Sequence, residues 1–421
     1  MADLLAGVRV LDLTNVLAGP FCTYLLAQLG AEVIKVEQPG RGDLARRLGA
    51  DPALNALGLG ASFLAQNAGK RSLTLDLKRA EGRAILERLA GGADVLVENF
   101  RPGVMDRLGL GAARLHGLAP RLVICSISGF GADGPLAGDP AYDQIVQGRS
   151  GVMAITGDPA SAPLRVGFPV ADTIGGLTAA MAVVAALFRR ERSGKGERID
   201  VSMLEALLSA MGWPVSNWLI GGRRPEPVGN ENPTAAPAAT SRSGRVLLDL
   251  AANEEAQFEA LCAVLGRPEL ARDPRFAERE ARERNRAVLR AELEALLAAR
   301  DAADWAARLA RAGVPAGPVL SLEEALAEPH LAAREAIRTV PAPEPLDGLL
   351  RLVRAGFRSG PGDPGPTGPP PRLGEHTEAI SAEPGLGPEA IADLRARGVV
   401  RARGPVRSGL SPWRPSPAAC P

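Results

Sequence analysis

The sequence predicts an α/β fold: a parallel sheet with helices on both faces, joined to a smaller second domain. Two observations carry this. Across the first half, short β-prone runs alternate with helix-like segments, and strands separated by helices pair in parallel through crossover connections. Between Gly221 and Pro237 the composition turns to Gly, Pro, Asn and Arg, which marks a crossing into another domain.

The elements follow in order. Val8–Leu13 (VRVLDL) reads as the first strand, Gly19–Leu29 as a helix and Glu32–Glu37 (EVIKVE) as the second strand. Ser72–Leu77 (SLTLDL) is a third strand, followed by a helix through Leu86 and Leu89. Asp94–Glu98 (DVLVE) and Arg121–Ser128 (RLVICSIS) are two more. From Ile174 onward, Ile174, Leu177, Met181, Val184 and Phe188 recur at helical spacing, the signature of one stripe of a buried helix. The turn Ser193–Gly196 ends it, ERIDVSM supplies a strand, and a second long helix starts near Leu204. The second domain holds helical segments around Phe258–Leu265 and Arg286–Leu297.

The expected layout is residues 1–224 for the first part of the large domain and 225–325 for the small domain. Residues 326–400 then return to the large domain, and 401–421 form a disordered tail. Ser359–Pro371 is too rich in Pro and Gly to form helix or strand.

The chain has 421 residues, 46% of them apolar, which suits a globular protein with a sizeable core. A net charge of +1 argues against a basic surface that recruits nucleic acid, so a polyanionic ligand needs a local cluster of cations. Cys22, Cys125, Cys262 and Cys420 are scattered without metal-ligand spacing, which points to reduced thiols, no metal site and a cytoplasmic protein. The N-terminal segment lacks a basic region before a long apolar run. Gly175 and Gly176 interrupt the most apolar stretch, and Arg189 and Arg190 end it, so no membrane span is expected.

Three places carry candidate chemistry. In the first strand-to-helix turn, Ala18, Gly19 and Pro20 open a helix whose free N–H groups suit an anion. Glu37 ends the next strand, where dinucleotide folds carry a ribose-binding acid. Gly19 stands alone, however, and an ordinary tight turn reads the same way. Next come the cations Lys70, Arg71 and Lys78 around one strand, and Asn99, Arg101 and Arg107 after another. Ligands of open α/β sheets bind at strand ends, although a solvated charged surface has the same composition.

The third place is Asp172, between an extended segment and the apolar helix. A helix N-cap is its simplest role. The helix terminus is expected to keep it ionised, and Gly175 and Gly176 to leave the first turn open to a ligand. A carboxylate there can act as a nucleophile, with nearby amides stabilising an oxyanion. The chain has only three histidines and no G-x-S-x-G elbow, phosphate loop or zinc pattern.

Taken together, these segments resemble the class III CoA-transferases, the family of formyl-CoA:oxalate and carnitine CoA-transferases. The resemblance runs over roughly residues 4–400. It rests on LDLTNVLAGPFCTYLLAQLGAEVIKVE, NAGKRSLTLDLK, DVLVENFRPGVMDRLGL, DPAYDQIVQGRSGVMAITG, VADTIGGLTAA, GKGERIDVSMLEA, RAGVPAGPVLSLEEALAEPH and LGEHTEAI, in that order. It implies a Rossmann-like large domain, a smaller α+β domain and an interlocked homodimer.

The family's catalytic aspartate falls on Asp172. CoA contacts fall on Val16, Leu17 and Ala18; on Leu75, Asp76, Leu77 and Lys78; on Asn99, Phe100, Arg101 and Arg107; and on Ala141, Tyr142 and Asp143. The implied reaction moves CoA from an acyl-CoA, by default succinyl-CoA, to a free carboxylic acid. It passes through an aspartyl mixed anhydride and an aspartyl-CoA thioester, with CoA thioesters as substrates and no permanently bound cofactor. The same fold also serves 2-methylacyl-CoA racemases, which carry a histidine where this chain has Tyr142. A non-catalytic acyl-CoA-binding protein is the third reading. Gln38 stands where several members have arginine, NAG replaces NRG before Lys70, and no glycine-rich flap is evident.

Overall fold

Six strands form one parallel sheet in the computed structural model, which describes residues 3–232, 235–243, 246–360 and 362–402. They are β1 (Arg9–Leu13), β2 (Glu32–Glu37), β3 (Arg71–Thr74), β4 (Val95–Glu98), β5 (Val123–Ser128) and β6 (Arg198–Ser202). Their order is β3-β2-β1-β4-β5-β6, the doubly wound arrangement whose strand order reverses between β1 and β4. The expected α/β fold with a parallel sheet is therefore present. The third strand is shorter than expected, because the chain leaves the ladder after Thr74.

Side chains alternate across each strand and so divide the core into two faces. On one, Leu11, Leu13, Ile34, Val36, Leu73, Leu96 and Ile124 pack with Ile85, Leu86, Leu89 and Leu115. The latter belong to helices over Ala80–Gly91 and Ala112–Leu118. On the other face Asp12 and Lys35 stand side by side in register, both fully buried. They lie beneath helix α1 (Ala18–Gln28), whose Thr23 hydroxyl donates to Asp12 at 2.7 Å.

Helix α2 (Val170–Ser193) corrects one expectation. The residues predicted to be buried are largely outside: Leu177 is 48% exposed, Met181 68% and Phe188 64%. The buried face is Ala171, Gly175, Gly176, Ala179, Ala180, Val183, Ala186 and Leu187. Small residues let two helices approach until backbone meets backbone, and a Cβ on Gly176 would lie 2.6 Å from the carbonyl oxygen of Ala18 in α1. Gly175 likewise faces Met203. These glycines admit neighbouring protein rather than a ligand. By length and composition alone α2 could cross a membrane, and 44% of its most apolar window is buried. The second long helix is also corrected: α3 (Met203–Ala210) is short, and Gly212, at φ 37°, separates it from a further helix over Trp213–Leu219.

The described residues divide into two compact units, drawn from 1–150, 166–216 and 332–421, and from 151–165 and 217–331. Residues 151–165, read in the sequence as part of the large domain, thus belong to the second unit. That unit has an antiparallel sheet of β7 (Ala238–Ser243), β8 (Val246–Ala251) and β9 (Ala316–Pro318). Its core gathers Phe258, Leu261, Leu289, Leu293, Trp305 and Leu309.

In the first unit, residues 354–376 contain neither helix nor strand among those described. This segment is nevertheless fastened, with Arg46 donating to the carbonyl of Pro371. Arg401, expected to start the tail, donates its N–H to the Thr74 hydroxyl at 2.8 Å. The rest of the expected disordered tail, residues 403–421, lies outside the described residues.

The α1–α2 contact is testable. Gly176→Ala should lose about 1–2 kcal/mol of stability, because overpacking outweighs the ~1 kcal/mol that alanine gains in a helix. A denaturant midpoint equal to or above that of the parent chain would show that the two helices are not in backbone contact.

Candidate active site

The chain leaves β1 and turns sharply into α1. Val16 has a φ of 69°, a conformation rare for a β-branched residue. The strain is held by charge. The N–H of Val16 donates to Asp43 Oδ1 at 2.9 Å, and Lys35 Nζ lies 2.9 Å from Asp43 Oδ2 and 3.0 Å from the carbonyl of Thr14. Lys70 Nζ donates to Asp12, to the carbonyl of Pro20 and to Thr23.

Lys35, Lys70, Asp12 and Asp43 all have fully buried side chains. Burial would lower the pKa of Lys35, but Asp12 and Asp43 outweigh it and raise the value. For Lys70 burial prevails and lowers it to about 8. Burial would raise Asp12, but Lys35 and Lys70 hold it well below the usual carboxylate range.

Two clefts of about 260 Å³ each open at the C-terminal edge of this sheet. They share Asn15 and Phe100, and so flank the reversal between β1 and β4, where open α/β sheets bind ligands. Asn15 and Asn99 close that crevice reciprocally. The Asn15 N–H donates to Asn99 Oδ1, and Asn99 Nδ2 donates to the Asn15 carbonyl, both at 2.8 Å.

The first cleft is lined by Leu75, Asp76, Leu77, Lys78 and Phe100, with Glu37 and Gln38. Glu37 is not an open ribose acceptor. Arg46 holds its two oxygens at 2.7 and 2.8 Å, and Ser72 donates to it as well. Burial would raise its pKa, but Arg46 brings it down to about 2.

The second cleft is lined by Val16, Leu17, Ala18, Asn99, Arg101, Ala141, Tyr142 and Asp172, among others. Thus the structure gathers most of the residues singled out in the sequence. Arg107 and Asp143 are the exceptions, since neither lines either of these two clefts. Arg107 is exposed on the short helix Val104–Arg107. Asp143 is buried and faces the start of α2. Among the basic residues, Lys70 is internal, and Arg71 pairs with Glu32 and Glu383 at the opposite strand end.

Sequence reasoning passed over Ser128, Gly129 and Phe130, which also line the second cleft. The signal was present: SGFG directly follows the strand ending at Ser128, and strand C-termini are where such sites form.

Asp172 is not an N-cap. It lies in the first turn of α2, after Pro169 at the cap. The turn's N–H groups are already taken: Ala171 and Asp172 donate to Asp143 Oδ1 at 2.9 and 3.4 Å, and Thr173 donates to the carbonyl of Pro169. The helix terminus therefore neither lowers the Asp172 pKa nor offers those amides to an oxyanion. Burial, and then the charge of Asp143, raise that pKa to about 7. Ala18, at the start of α1, lines the same cleft, and N–H groups in a first helical turn have no intrahelical acceptor. Asp139 also lines the cleft, but it is exposed and lies 3.9 Å from Arg149. No group of three or more His, Cys, Asp or Glu suited to a metal occurs among the described residues.

A doubly wound sheet with a partly buried carboxylate facing its switch-point cleft defines an α/β protein equipped for nucleophilic or acid–base chemistry at that edge. The chain matches the profile of CoA-transferase family III over residues 5–377 and belongs to that family. It is 45% identical over 329 residues to the acetyl-CoA:oxalate CoA-transferase of Acetobacter aceti, covering 78% of this chain and 84% of the relative. To the succinate–glutarate CoA-transferase of Agrobacterium fabrum it is 40% identical over 333 residues, covering 78% and 83%. A solved CaiB/BaiF family protein from Brucella suis superposes with a TM-score of 0.78 at 36% identity, covering 90% of this chain and 99% of that one. The chain is accordingly an enzyme that moves CoA from an acyl-CoA to a carboxylic acid.

The raised Asp172 pKa makes a stability prediction. The folded value, about 7, exceeds the unfolded one, so folding favours the protonated carboxyl. That contribution is complete below about pH 4 and is lost as pH rises through about 7. Asp172→Asn should therefore gain stability over the parent at pH 8, with a ceiling of about 4 kcal/mol, and the gain should vanish near pH 4. Thermal unfolding at the two pH values measures it, and an equal difference at both would contradict the raised pKa.

Proposed function

We propose that Asp172 is the nucleophile of the transfer and that the paired clefts seat the CoA thioester. One observation carries this reading: Asp172 is the partly buried carboxylate on the wall of the switch-point cleft. A carboxylate oxygen of Asp172 attacks the donor thioester carbonyl. The C–S bond breaks, leaving an aspartyl mixed anhydride and CoA thiolate. The thiolate then attacks the aspartyl carbonyl and releases the donor acid, giving an aspartyl-CoA thioester.

The acceptor carboxylate attacks that thioester and again expels CoA thiolate. The thiolate takes the acceptor's acyl group, and Asp172 returns as a carboxylate. Each step exchanges one activated acyl bond for another, so neither ATP nor a metal enters the balance. The protein supplies positioning and oxyanion donors. The first turn of α1 is better placed to donate than the occupied first turn of α2.

Succinyl-CoA is the proposed donor, in keeping with the succinate–glutarate relative. Tyr142, 68% exposed at the cleft, supplies no imidazole for the racemase alternative. A homodimer is part of the proposal, supported by the exposed apolar stripe Leu177, Met181, Val184 and Phe188 on α2, since stripes of this kind mark contact surfaces. Cytoplasmic residence, without nucleic-acid or membrane partners, rests on the near-neutral charge and on the free, buried Cys22, Cys125 and Cys262.

Acyl-CoA followed by hydroxylamine should convert Asp172 to its hydroxamate, read in the peptide from Val166 to Arg189 by mass spectrometry. Asp172→Asn should lose transfer and keep CoA binding. Substantial transfer by that variant, verified free of deamidation, would remove Asp172 from the reaction.

Lys78 lines the first cleft and carries an exposed ammonium. Lys78→Ala should weaken CoA binding by about 1–3 kcal/mol, the worth of a charge-assisted hydrogen bond. Calorimetry showing unchanged affinity would place the CoA phosphates elsewhere.

A further inference from the structure

The helix over Asp143–Ser150 begins at a buried acid that the cleft itself does not use. Asp143 Oδ1 accepts from the N–H groups of Ala171 and Asp172, at 2.9 and 3.4 Å. Its Oδ2 accepts from Gln147 Nε2 at 2.7 Å. Gln147, one helical turn on and fully buried, accepts the N–H of Val166 on its own Oε1 at 3.0 Å. Two side chains on one face of one helix therefore grip both ends of the segment from Val166 to Asp172. That segment carries Asp172 to the cleft, and its helix begins with no side-chain cap of its own.

We propose that Asp143 is a positioning residue for the transfer: braced by Gln147, its carboxylate seats the first turn of α2 and sets the electrostatic environment of Asp172. The inference rests on Asp172 being the nucleophile. Asp143 does not reach the reacting atoms; it acts through Asp172.

A helix N-terminus ordinarily lowers the pKa of an acid in its first turn. Here a second acid occupies the amides that would do so, and its negative charge disfavours ionisation of its neighbour. The elements packed on α2 carry other ionisable groups: Cys22 and Tyr24 on α1, Cys125 on β5, Arg198 and Asp200 on β6, Glu205 on α3, and Arg149 near the end of the Asp143 helix. Arg101 and Asp139 lie on the cleft wall. Of all these groups, Asp143 is the one whose charge raises Asp172, in addition to burial. A higher pKa makes a carboxylate the stronger nucleophile once it is ionised, so the arrangement exchanges some ionised population at neutral pH for reactivity.

Asp143→Asn tests this. The amide oxygen can still accept from the helix N–H groups, while the charge and the acceptor for Gln147 Nε2 are gone. The readout is the rate of hydroxamate formation at Asp172 against pH. In the parent enzyme the rate should rise through about pH 7. In the variant the acidic limb should move down by about one unit, because part of the raise is electrostatic. The plateau rate at high pH should fall two- to tenfold as the nucleophile weakens.

A limb at the same pH in both proteins would overturn the proposal while leaving Asp172 as nucleophile. No labelling in the parent would instead remove the nucleophile reading on which it rests. Should the Asn variant fail to fold by circular dichroism, Asp143→Ser, smaller and likewise neutral, carries the same comparison. Failure of both neutral variants to fold would also overturn it, because the charge would then serve stability.

Discussion

The buried charges under the first turn are the constraint on which the site depends. Lys35 and Lys70 meet Asp12 and Asp43 in a space closed to water. An unpaired charge there would cost several kcal/mol, so each member enforces the others. Asp43 holds Val16 in its left-handed conformation, Lys35 holds the Thr14 carbonyl, and Lys70 ties Asp12 to Pro20 and Thr23 of α1. The start of α1 is thereby fixed relative to β1. Gly176 then lets α2 lie directly on α1, and Asp172 is delivered to the cleft by that packing. A charge network deep in the sheet thus places a carboxylate that it never touches.

Much of this architecture was legible because local signals are repetitive. Alternation of strand-like and helical runs located all six strands of the sheet, and Glu32–Glu37 matched its observed bounds. The helix over Arg286–Leu297 did so as well. Periodicity failed at α2 for a physical reason. It finds the face with the largest side chains, whereas this helix packs through its smallest ones. Alanine and glycine carry little hydropathy and much geometric opportunity, so the buried stripe was the inconspicuous one.

The site was legible by position and less so by role. Motif order placed Val16 to Ala18, Asn99 to Arg101, Ala141, Tyr142 and Asp172 on one cleft, and the strand-end rule agrees with it. Lys70, Arg71 and Glu37 look like ligand-binding charges in one dimension. In three, each is already paired with protein, by Asp12, Glu32 and Arg46 respectively. Pairing across the sheet is a long-range fact that no sequence window contains. Asp143 shows the same limit, because its partners at Ala171 and Asp172 lie nearly thirty residues away.

These pairings also bear on why the reactive acid is raised while its neighbours are held down. Asp12 and Glu37 are surrounded by lysine or arginine and stay ionised, fixed as structural anions. Among the described residues no cation lowers the pKa of Asp172 against its burial, and the one charge that shifts it is another acid. A carboxylate stabilised as firmly as Glu37 would be a poor nucleophile, because acylation would forfeit its ion pair as well as its charge. One that is destabilised by burial loses little on becoming a neutral anhydride or thioester. The same surroundings that make ionised Asp172 costly therefore make its acylated forms comparatively cheap. Transfer between two carboxylic acids needs that balance, since the aspartyl intermediates must lie close in free energy to the thioesters on either side.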